Sequence, residues 1–258
     1  MKKLIYQFML AAVLTIVWGC SSDSSNDTHS SFAAQPAPQW KVDWFSNETT
    51  PNWQEPDQSR YEHSMYLIIR LCDELAPFST DDDLMAVFIG DECRSLSKAS
   101  KMEKNGKVYF VEKVRGNDSD TEVYFTLKYY SGGLHQTFTL DGTNMYIPDL
   151  TYGIEQDFAP YLPAGSSKYP LQMVFFLQMP ENLPFTPSPG DKLGVFVNGE
   201  CRGVCIPSES VSFVVYAREE GETCTLRYYS AEKQGVYVLD QTIETKAWSQ
   251  SFELMLNF

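Results

Sequence analysis

The chain contains one stretch of sequence twice, and this internal repeat constrains the fold more than any other feature. Residues 191–204 read DKLGVFVNGECRGV, and residues 83–96 read DLMAVFIGDECRSL. The copies lie 108 residues apart, and at that offset an Asp, Val, Phe, Glu, Cys and Arg coincide. A Tyr-Tyr-Ser sequence also recurs, at residues 129–131 and 228–230. The chain is therefore expected to consist of two copies of one unit.

Each copy carries the signal of a tight β-hairpin. Asn198-Gly199 lies between two strand-like runs, and Asn-Gly is typical of a two-residue type I′ turn, because both turn positions need positive φ. Gly90-Asp91 takes the same place in the first copy. The repeated unit is thus built around a hairpin.

Two β-sandwich modules are predicted. Apolar runs of about five to eight residues are bounded by Gly, Asn, Asp and Ser, without sustained helical periodicity. About seven such runs per copy fit an immunoglobulin-like β-sandwich better than a barrel. We expect an all-β protein with module 1 at residues 61–160 and module 2 at residues 161–258.

The Glu-Cys-Arg triplet of each hairpin is interpreted as structural. Its members are Glu92, Cys93 and Arg94 in the first copy and Glu200, Cys201 and Arg202 in the second. Hairpin pairing predicts that Phe196 faces Cys201 in the core and that Val195 faces Arg202. Glu200 and Arg202 are expected to meet on the other face of the strand. A ligand-binding role is the alternative, which a strand interior disfavours.

The pattern D-x-L-x-V-F-V-x-G-E-C-R-G-V resembles a module found in tandem in secreted and surface proteins of Bacteroidota. The resemblance extends over both copies, from residue 61 to residue 258, although Asp91 and Ser95 depart from the pattern. It implies a β-sandwich on the cell surface without catalytic activity.

The N-terminus resembles a lipoprotein signal peptide at residues 1–19. Lys2 and Lys3 precede an apolar run at residues 4–17 that is too short for a membrane span, and Gly19 precedes Cys20. The resemblance implies cleavage before Cys20 and lipid attachment to it, so that the membrane is a partner through the lipid alone. An ordinary secretory leader is the alternative.

Residues 20–60 are predicted to form a tether. Residues 21–39 are rich in Ser, Asp, Ala and Pro, a composition typical of a flexible spacer. Asp23 and Asp27 resemble the acidic surface-export tract of Bacteroidota lipoproteins. We therefore expect an outer-membrane lipoprotein exposed at the cell surface, with a periplasm-facing orientation as the alternative.

The net charge excludes one class of partner. At −14 the chain repels phosphate backbones and anionic membrane surfaces. Nucleic acid is therefore not an expected ligand.

Aromatic residues are the candidates for ligand stacking. Trp40, Trp44 and Trp53 are expected either to stack on sugar rings or to pack the tether onto module 1. Strand alternation predicts that the first tyrosine of each repeated pair is buried, at positions 129 and 228. The second members, Tyr130 and Tyr229, are predicted to point outward and to join the tryptophans as stacking residues.

No metal, cofactor or catalytic motif is predicted. Five cysteines remain beside Cys20, and we expect mostly buried free thiols, with a Cys201–Cys224 disulfide as the alternative. The three histidines are scattered, so transition-metal spacing is absent. The acidic residues at 81–83 and 118–122 lack the remaining features of a calcium loop.

Three functional hypotheses follow. The first is a non-catalytic cell-surface lipoprotein whose tandem sandwiches bind a protein partner or serve adhesion. The second is a glycan-binding accessory lipoprotein of a polysaccharide uptake system. The third is an enzyme without a linear motif, which the sequence favours least.

Overall fold

The computed structural model describes residues 29–55, 57–101, 105–246 and 251–258. It confirms the all-β prediction, since 48% of the described residues are in strands and none of them belongs to a helix of 7 or more residues. Helical turns in the described part are short 3₁₀ segments at Gln58–Arg60, Ala76–Phe78, Asp118–Asp120 and Leu162–Gly165. Among the described residues, no helix has the length and hydropathy of a membrane span. The predicted lipidation site, Cys20, lies outside the described residues.

The strands follow the same order in both copies. One strand precedes the modules, β1 (Ser30–Ala34). Module 1 contains β2 (His63–Arg70), β3 (Leu84–Ile89), β4 (Glu92–Lys98), β5 (Ser100–Lys101), β6 (Val108–Gly116), β7 (Tyr124–Ser131), β8 (Gln136–Met145) and β9 (Thr151–Tyr152). Module 2 contains β10 (Leu171–Gln178), β11 (Lys192–Val197), β12 (Glu200–Cys205), β13 (Ser212–Ala217), β14 (Thr223–Ser230), β15 (Gly235–Glu244) and β16 (Ser251–Met255).

Each module is a sandwich of two sheets. The hairpin sheet has the order β4-β3-β7-β8 in module 1 and β12-β11-β14-β15-β1 in module 2. The opposing sheet has the order β5-β6-β2-β9 in module 1 and β13-β10-β16 in module 2. Strands B, C, C′, E, F and G of an immunoglobulin Greek key correspond, in module 1, to β2, β3, β4, β6, β7 and β8 in that order. The place of the first immunoglobulin strand is taken by β9 and β16, which run parallel to β2 and β10.

A buried Asp–Tyr hydrogen bond explains two of the repeated landmarks. The Tyr129 hydroxyl donates to Asp83 at 2.8 Å, and the Tyr228 hydroxyl donates to Asp191 at 2.8 Å. Asp83 also accepts from the backbone N–H of Gly132 at 2.9 Å. The carboxylate at the start of the hairpin therefore holds the turn that follows the Tyr-Tyr-Ser sequence.

The hairpin register is partly as predicted. Phe196 pairs with Cys201, and both Asn198 (φ 51°) and Gly199 (φ 84°) have the positive φ of a type I′ turn. The predicted pairing of Val195 with Arg202 is wrong. Val195 pairs with Gly203, because a β-bulge leaves Arg202 as an extra residue.

The first copy has the same bulge at Arg94, since Val87 pairs with Ser95 and Phe88 with Cys93. A bulge is a backbone feature that bends a strand and redirects one side chain. The direction of both arginine side chains is therefore set by the bulge and not by regular strand alternation.

The predicted core position of the Phe-Cys pair is also wrong. Leu193, Val195 and Val197 of β11 enter the core of module 2, so Phe196 points to the opposite face. Phe196 is nevertheless buried, because Trp40 packs against it at 5.4 Å between ring centroids. Since both faces of β11 are covered, its sequence from Leu193 to Val197 has no polar side chain and does not reveal which face is the core.

Residues 30–55, which we call the strap, provide this cover. They lie within the predicted tether, of which residues 21–39 were expected to be a flexible spacer, but β1 pairs with β15 from Ser30↔Leu239 to Ala34↔Gly235. Edge pairing uses backbone groups, so a Ser- and Ala-rich sequence is sufficient for it. Further along, Asp43 N–H donates to the carbonyl of Cys201, and Ser46 N–H donates to that of Leu134. The strap therefore crosses from module 2 to module 1.

Candidate functional site

The repeated Arg202 lies in a closed network and not in a binding site. Its guanidinium is 2.9 Å from Glu222 and 3.2 Å from Glu200, and the side chain is 2% exposed. It also lies over the ring of Tyr169, 4.7 Å from the centroid. The predicted contact between Glu200 and Arg202 is thus present, inside the protein.

Module 1 repeats this network with Arg94. The guanidinium is 2.8 Å from Asp120, 3.2 Å from Glu92 and 4.6 Å from the ring centroid of Tyr61. Each arginine therefore has the same set of three partners, which are two carboxylates and a tyrosine ring. The Glu and Arg of each triplet therefore stabilise the frame of their own module.

Glu200 connects this frame to the chain between the modules. Lys168 lies 2.8 Å from its carboxylate, and the Tyr169 hydroxyl donates to it at 2.8 Å. Burial opposes ionisation of Glu200, but Lys168, Tyr169 and Arg202 outweigh it and lower its pKa to about 2. Glu200 is therefore a permanently charged structural group.

The three predicted stacking tryptophans pack on protein side chains. Trp44 is 5% exposed and contacts the rings of Phe138 in module 1 and Tyr216 in module 2. Trp40 packs on Phe196, and Trp53 packs on Phe88 at 6.1 Å. The tryptophans of the strap therefore pack on both modules, whereas the expected packing was on module 1 alone.

The predicted outward tyrosines are buried, although the first tyrosine of each pair is in the core as expected. Tyr130 is 1% exposed and Tyr229 is 5% exposed. The strap covers Tyr130, whose hydroxyl receives a hydrogen bond from Thr50 at 3.4 Å and donates to the carbonyl of Glu48. Residues 34–37 of the strap lie beside Tyr229. Neither tyrosine is available to stack on a sugar in this conformation.

One group of metal-binding residue types is close in space although distant in sequence. Glu62, His63 and Asp118 bring potential ligand atoms within 4.8 Å of one another. His63 Nε2 lies 3.0 Å from Asp118, and both carboxylates are largely exposed to solvent. This proximity is not visible in the sequence, because strand β2 and the turn before β7 meet only in the folded sandwich. The arrangement is that of an exposed contact between a histidine and a carboxylate.

The five described cysteines are free thiols, and all except Cys93 are buried. The alternative disulfide between Cys201 and Cys224 is not formed. Burial raises the pKa of Cys205 to about 12 and that of Cys72 to about 11. These thiols are therefore protonated at neutral pH, which lowers their reactivity as nucleophiles.

A groove between the two modules is the best-formed concave site. It has a volume of about 570 Å³, within the range of ligand-binding pockets. We call it the module-2 groove, because half of its wall comes from β12, β13 and the residues that join them. It is lined by Lys41, Val42 and Trp44 of the strap, Glu74, Pro77 and Phe78 of module 1, Tyr161 at the module boundary, and Val204, Cys205, Ser210, Ser212, Phe213, Val214 and Tyr216 of module 2.

The chemistry of this groove is aromatic, with few charges. Lys41 and Glu74 are its two charged residues, and Lys41 Nζ lies 5.0 Å from the ring centroid of Phe78. The hydroxyls of Tyr161 and Tyr216 are 2.5 Å apart and join the modules. Burial raises the pKa of both tyrosines, so each hydroxyl remains a neutral donor and acceptor. Such a site can bind and orient a ligand.

A smaller groove occupies the equivalent place in module 1, and we call it the module-1 groove. Its volume is about 200 Å³. It is lined by Arg94, Ser95, Leu96, Val111, Lys113 and Arg115, together with Glu55 and Gln58. Arg115 corresponds to Tyr216, because the carbonyl of each accepts a hydrogen bond from the bulged arginine of its own module. The two grooves are therefore repeats of one feature with different linings.

Sequence reasoning missed both grooves. In the module-2 groove the strap meets edge strands that are more than a hundred residues away in sequence. In the module-1 groove Glu55 meets β4 and β6, which are about 40 to 60 residues away. In the sequence, only the strap tryptophans indicated that this segment packs on the rest of the protein.

Comparisons with protein-family models, with curated proteins and with solved structures each found no match for this chain. The proposals below therefore depend on the residues and geometry of the chain itself.

Proposed function

We propose that this protein is a non-catalytic, lipid-anchored cell-surface protein that binds a partner molecule in the module-2 groove. One observation carries the proposal: the strap and both modules jointly build a groove of about 570 Å³ with an aromatic wall. A pre-formed concave site with apolar walls and a few polar groups is the usual form of a ligand site. The thiol in its wall, Cys205, is protonated, which favours binding over nucleophilic chemistry.

The anchor is proposed to be a lipid on Cys20, with the modules displayed outside the outer membrane. The lipobox-like sequence before Cys20 supports this, and the net charge of −14 argues against direct adsorption to anionic lipid. Replacing Cys20 by Ser should release the protein from the membrane fraction. Cys93→Ser is the matched control and should leave the protein membrane-bound. Retention of the Cys20→Ser variant in the membrane would refute the anchor.

Binding in the groove is tested with Tyr161, a residue that is 41% exposed at the module boundary. The full-length protein is screened against a phage-display library of random linear peptides and against a glycan array. Ligands of the groove should lose binding in Tyr161→Ala but not in Tyr124→Ala, an equally drastic change at a 59% exposed tyrosine. If both collections yield no ligand with this pattern, the groove is not a binding site.

A glycan ligand is the second candidate, and the exposed Tyr161 ring favours it. An aromatic face beside two neutral hydroxyls suits a sugar ring, which offers C–H groups on one side and hydroxyls at its edge. The protein would then act as an accessory lipoprotein of a polysaccharide uptake system. Glycans that bind wild type but not Tyr161→Ala would favour this candidate over a protein partner.

A further inference from the structure

The module-1 groove has a surplus of positive charge in a chain that is strongly negative. Its lining contains Arg94, Lys113 and Arg115 and one carboxylate, Glu55. In the whole chain the balance is the reverse, with 34 Asp and Glu residues against 20 Lys and Arg residues. Cations collected around a concave surface raise the local concentration of anions. The acidity of the chain as a whole therefore does not extend to this groove.

Arg94 does not supply this surplus. Its guanidinium lies 2.8 Å from Asp120 and 3.2 Å from Glu92, and Glu92 in turn lies 2.8 Å from Arg60. These two arginines and two carboxylates balance one another within the frame of the module. The charge that remains for a ligand therefore comes from the two cations of β6.

The two cations of β6, Lys113 and Arg115, lie close together without carboxylate partners. They are two residues apart in a strand, so they share one face and are about 7 Å apart along it, at ~3.3 Å per residue. Within the described residues neither forms an ion pair. Arg115 donates to the neutral side chain of Gln58 at 2.9 Å, and Lys113 Nζ lies 5.4 Å from the ring centroid of Tyr66. Most of their N–H donors therefore remain available.

The fold does not require cations at these positions. Their places in module 2 are taken by Val214 and Tyr216, although the arginine network of the two modules is the same. Two like charges on one strand face also repel each other. The two cations are therefore a specialisation of module 1 that the stability of the frame does not explain.

The size and donors of the groove limit what it can hold. Its volume of about 200 Å³ is below the range of drug-sized ligand sites, so one charged group with a few attached atoms fills it. The hydroxyl of Ser95 in its wall already donates to Glu112. The Gln58 amide, whose oxygen accepts from Arg115, adds a neutral N–H₂ donor. The groove is thus lined by donors that suit the oxygens of a small anion.

We propose that the module-1 groove is a binding site for the carboxylate group of a small monoanionic ligand. This site is separate from the module-2 groove and does not depend on the function proposed for that groove. A guanidinium presents parallel N–H groups that match the two oxygens of a carboxylate, so Arg115 orients the ligand. The Lys113 ammonium adds a charge-assisted hydrogen bond. These two cations against Glu55 leave one net positive charge, which matches a monoanion better than a dianion.

The deciding variant gives module 1 the lining of module 2. Lys113→Val combined with Arg115→Tyr removes both cations and introduces residue types that the fold accepts at the same places in the other copy. The matched control is Lys107→Gln combined with Arg218→Gln, which removes the same charge from exposed positions outside the groove.

The probes are sodium acetate, which is the bare carboxylate, and sodium glucuronate, with glucose as the uncharged counterpart of glucuronate. Binding to the full chain is followed by ¹H–¹⁵N NMR at constant ionic strength, because salt screens exposed charges. A pH of about 6 is used, since burial raises the pKa of Glu112 to about 7 and its protonated form places no charge beneath the groove.

Both carboxylates should shift amides of β4 and β6 with a dissociation constant on the order of millimolar, as expected for a few exposed charge-assisted hydrogen bonds. The variant with the module-2 lining should bind about tenfold more weakly or worse, and the control should change affinity by less than about twofold. Glu55→Gln should strengthen binding by about threefold, because it removes the opposing charge. Glucose should cause no shift at these amides.

Equal affinity of wild type and the variant with the module-2 lining would overturn the site, and so would a wild type without saturable shifts in β4 and β6. Glucuronate binding without acetate binding would assign the contacts to the sugar ring and refute a carboxylate site. If the double variant fails to fold, Lys113→Gln and Arg115→Gln replace it singly, and unchanged affinity in both refutes the proposal. Tyr161 is unaltered in all of these variants, so the result leaves the test of the module-2 groove independent.

Discussion

The module-1 and module-2 grooves occupy the same place in the repeated fold and differ in almost every side chain. The outward positions of the edge strand are Val111, Lys113 and Arg115 in module 1 and Ser212, Val214 and Tyr216 in module 2. One groove is charged and holds about 200 Å³, whereas the other is aromatic and holds about 570 Å³. The frame of the module is therefore compatible with very different linings.

The interior beneath the two edge strands differs as well. Glu112 points into module 1, where Ser95 and Ser97 donate hydrogen bonds to it. The corresponding positions in module 2 are Phe213, Gly203 and Cys205. By contrast, the Asp–Tyr bond and the arginine network occur in both modules. Features present in both copies form the frame, and the groove is where the copies have specialised.

The largest expected effect comes from breaking the shared frame. Arg202→Ala should lower the free energy of unfolding by about 3 kcal/mol, because it leaves the carboxylate of Glu222, whose side chain is 12% exposed, without its cation. Arg94→Ala should cost a similar amount in module 1, since the network is repeated. Arg218→Ala is the control, because this 52% exposed side chain also contacts Glu200 and its loss should cost at most ~1 kcal/mol. Denaturant unfolding of the full chain measures all three. A neutral Arg94→Ala would show that the two networks are not equivalent.

The next effect concerns the interior that differs between modules. Burial raises the pKa of Glu112 to about 7, against 4.5 for an ordinary glutamate. The folded state therefore favours the protonated form, and its contribution to stability is complete below pH 4.5 and is lost as the pH rises to about 7. The loss is about 3 kcal/mol at ~1.4 kcal/mol per pKa unit.

Glu112→Gln should remove this pH dependence, because the amide has the same shape and does not ionise. Unfolding free energies measured at several pH values between 4 and 8 test it, with Glu253→Gln as an exposed control. Identical pH profiles for wild type and Glu112→Gln would contradict the assignment of Glu112 as the titrating group.

The smallest expected effect lies in the two hairpin turns. Gly199→Val places a β-branched residue at φ 84°, and Gly90→Val places one at φ 60°. A Cβ at either glycine meets no atom within 4 Å, so the cost is conformational and not steric. Each change should destabilise the protein by ~1 kcal/mol or more. Thermal unfolding of the full chain measures it, and an unchanged melting temperature would mean that these turns tolerate other backbone conformations.

Several features could be predicted from residues alone. The repeat of Asp, Tyr-Tyr-Ser and Glu-Cys-Arg identified the duplicated unit, and the short apolar runs identified strands in an all-β fold. Asn198-Gly199 predicted its turn, because few other dipeptides accept positive φ at both positions. These signals are local, so neighbouring residues contain the necessary information.

The orientation of side chains was less predictable. Phe196 was correctly expected to be buried but was assigned to the wrong face of its strand, and Tyr229 was wrongly expected to be exposed, because strand alternation separates two faces but does not say what covers them. Arg202 was displaced from its predicted partner by a bulge, which adds a residue without a distinctive sequence signal. The grooves require the strap, whose path depends on contacts between residues distant in the chain.

The sequence by itself therefore determined the duplicated unit, its strands and its hairpin turn. Tertiary structure decided which strand faces are buried, which arginines and carboxylates meet, and where a groove remains open. The physical reason is that backbone conformation depends mainly on local residues, whereas burial depends on whatever packs against a surface. In this chain that covering element is a Ser- and Ala-rich segment with three tryptophans, which buries the outer face of both hairpin sheets.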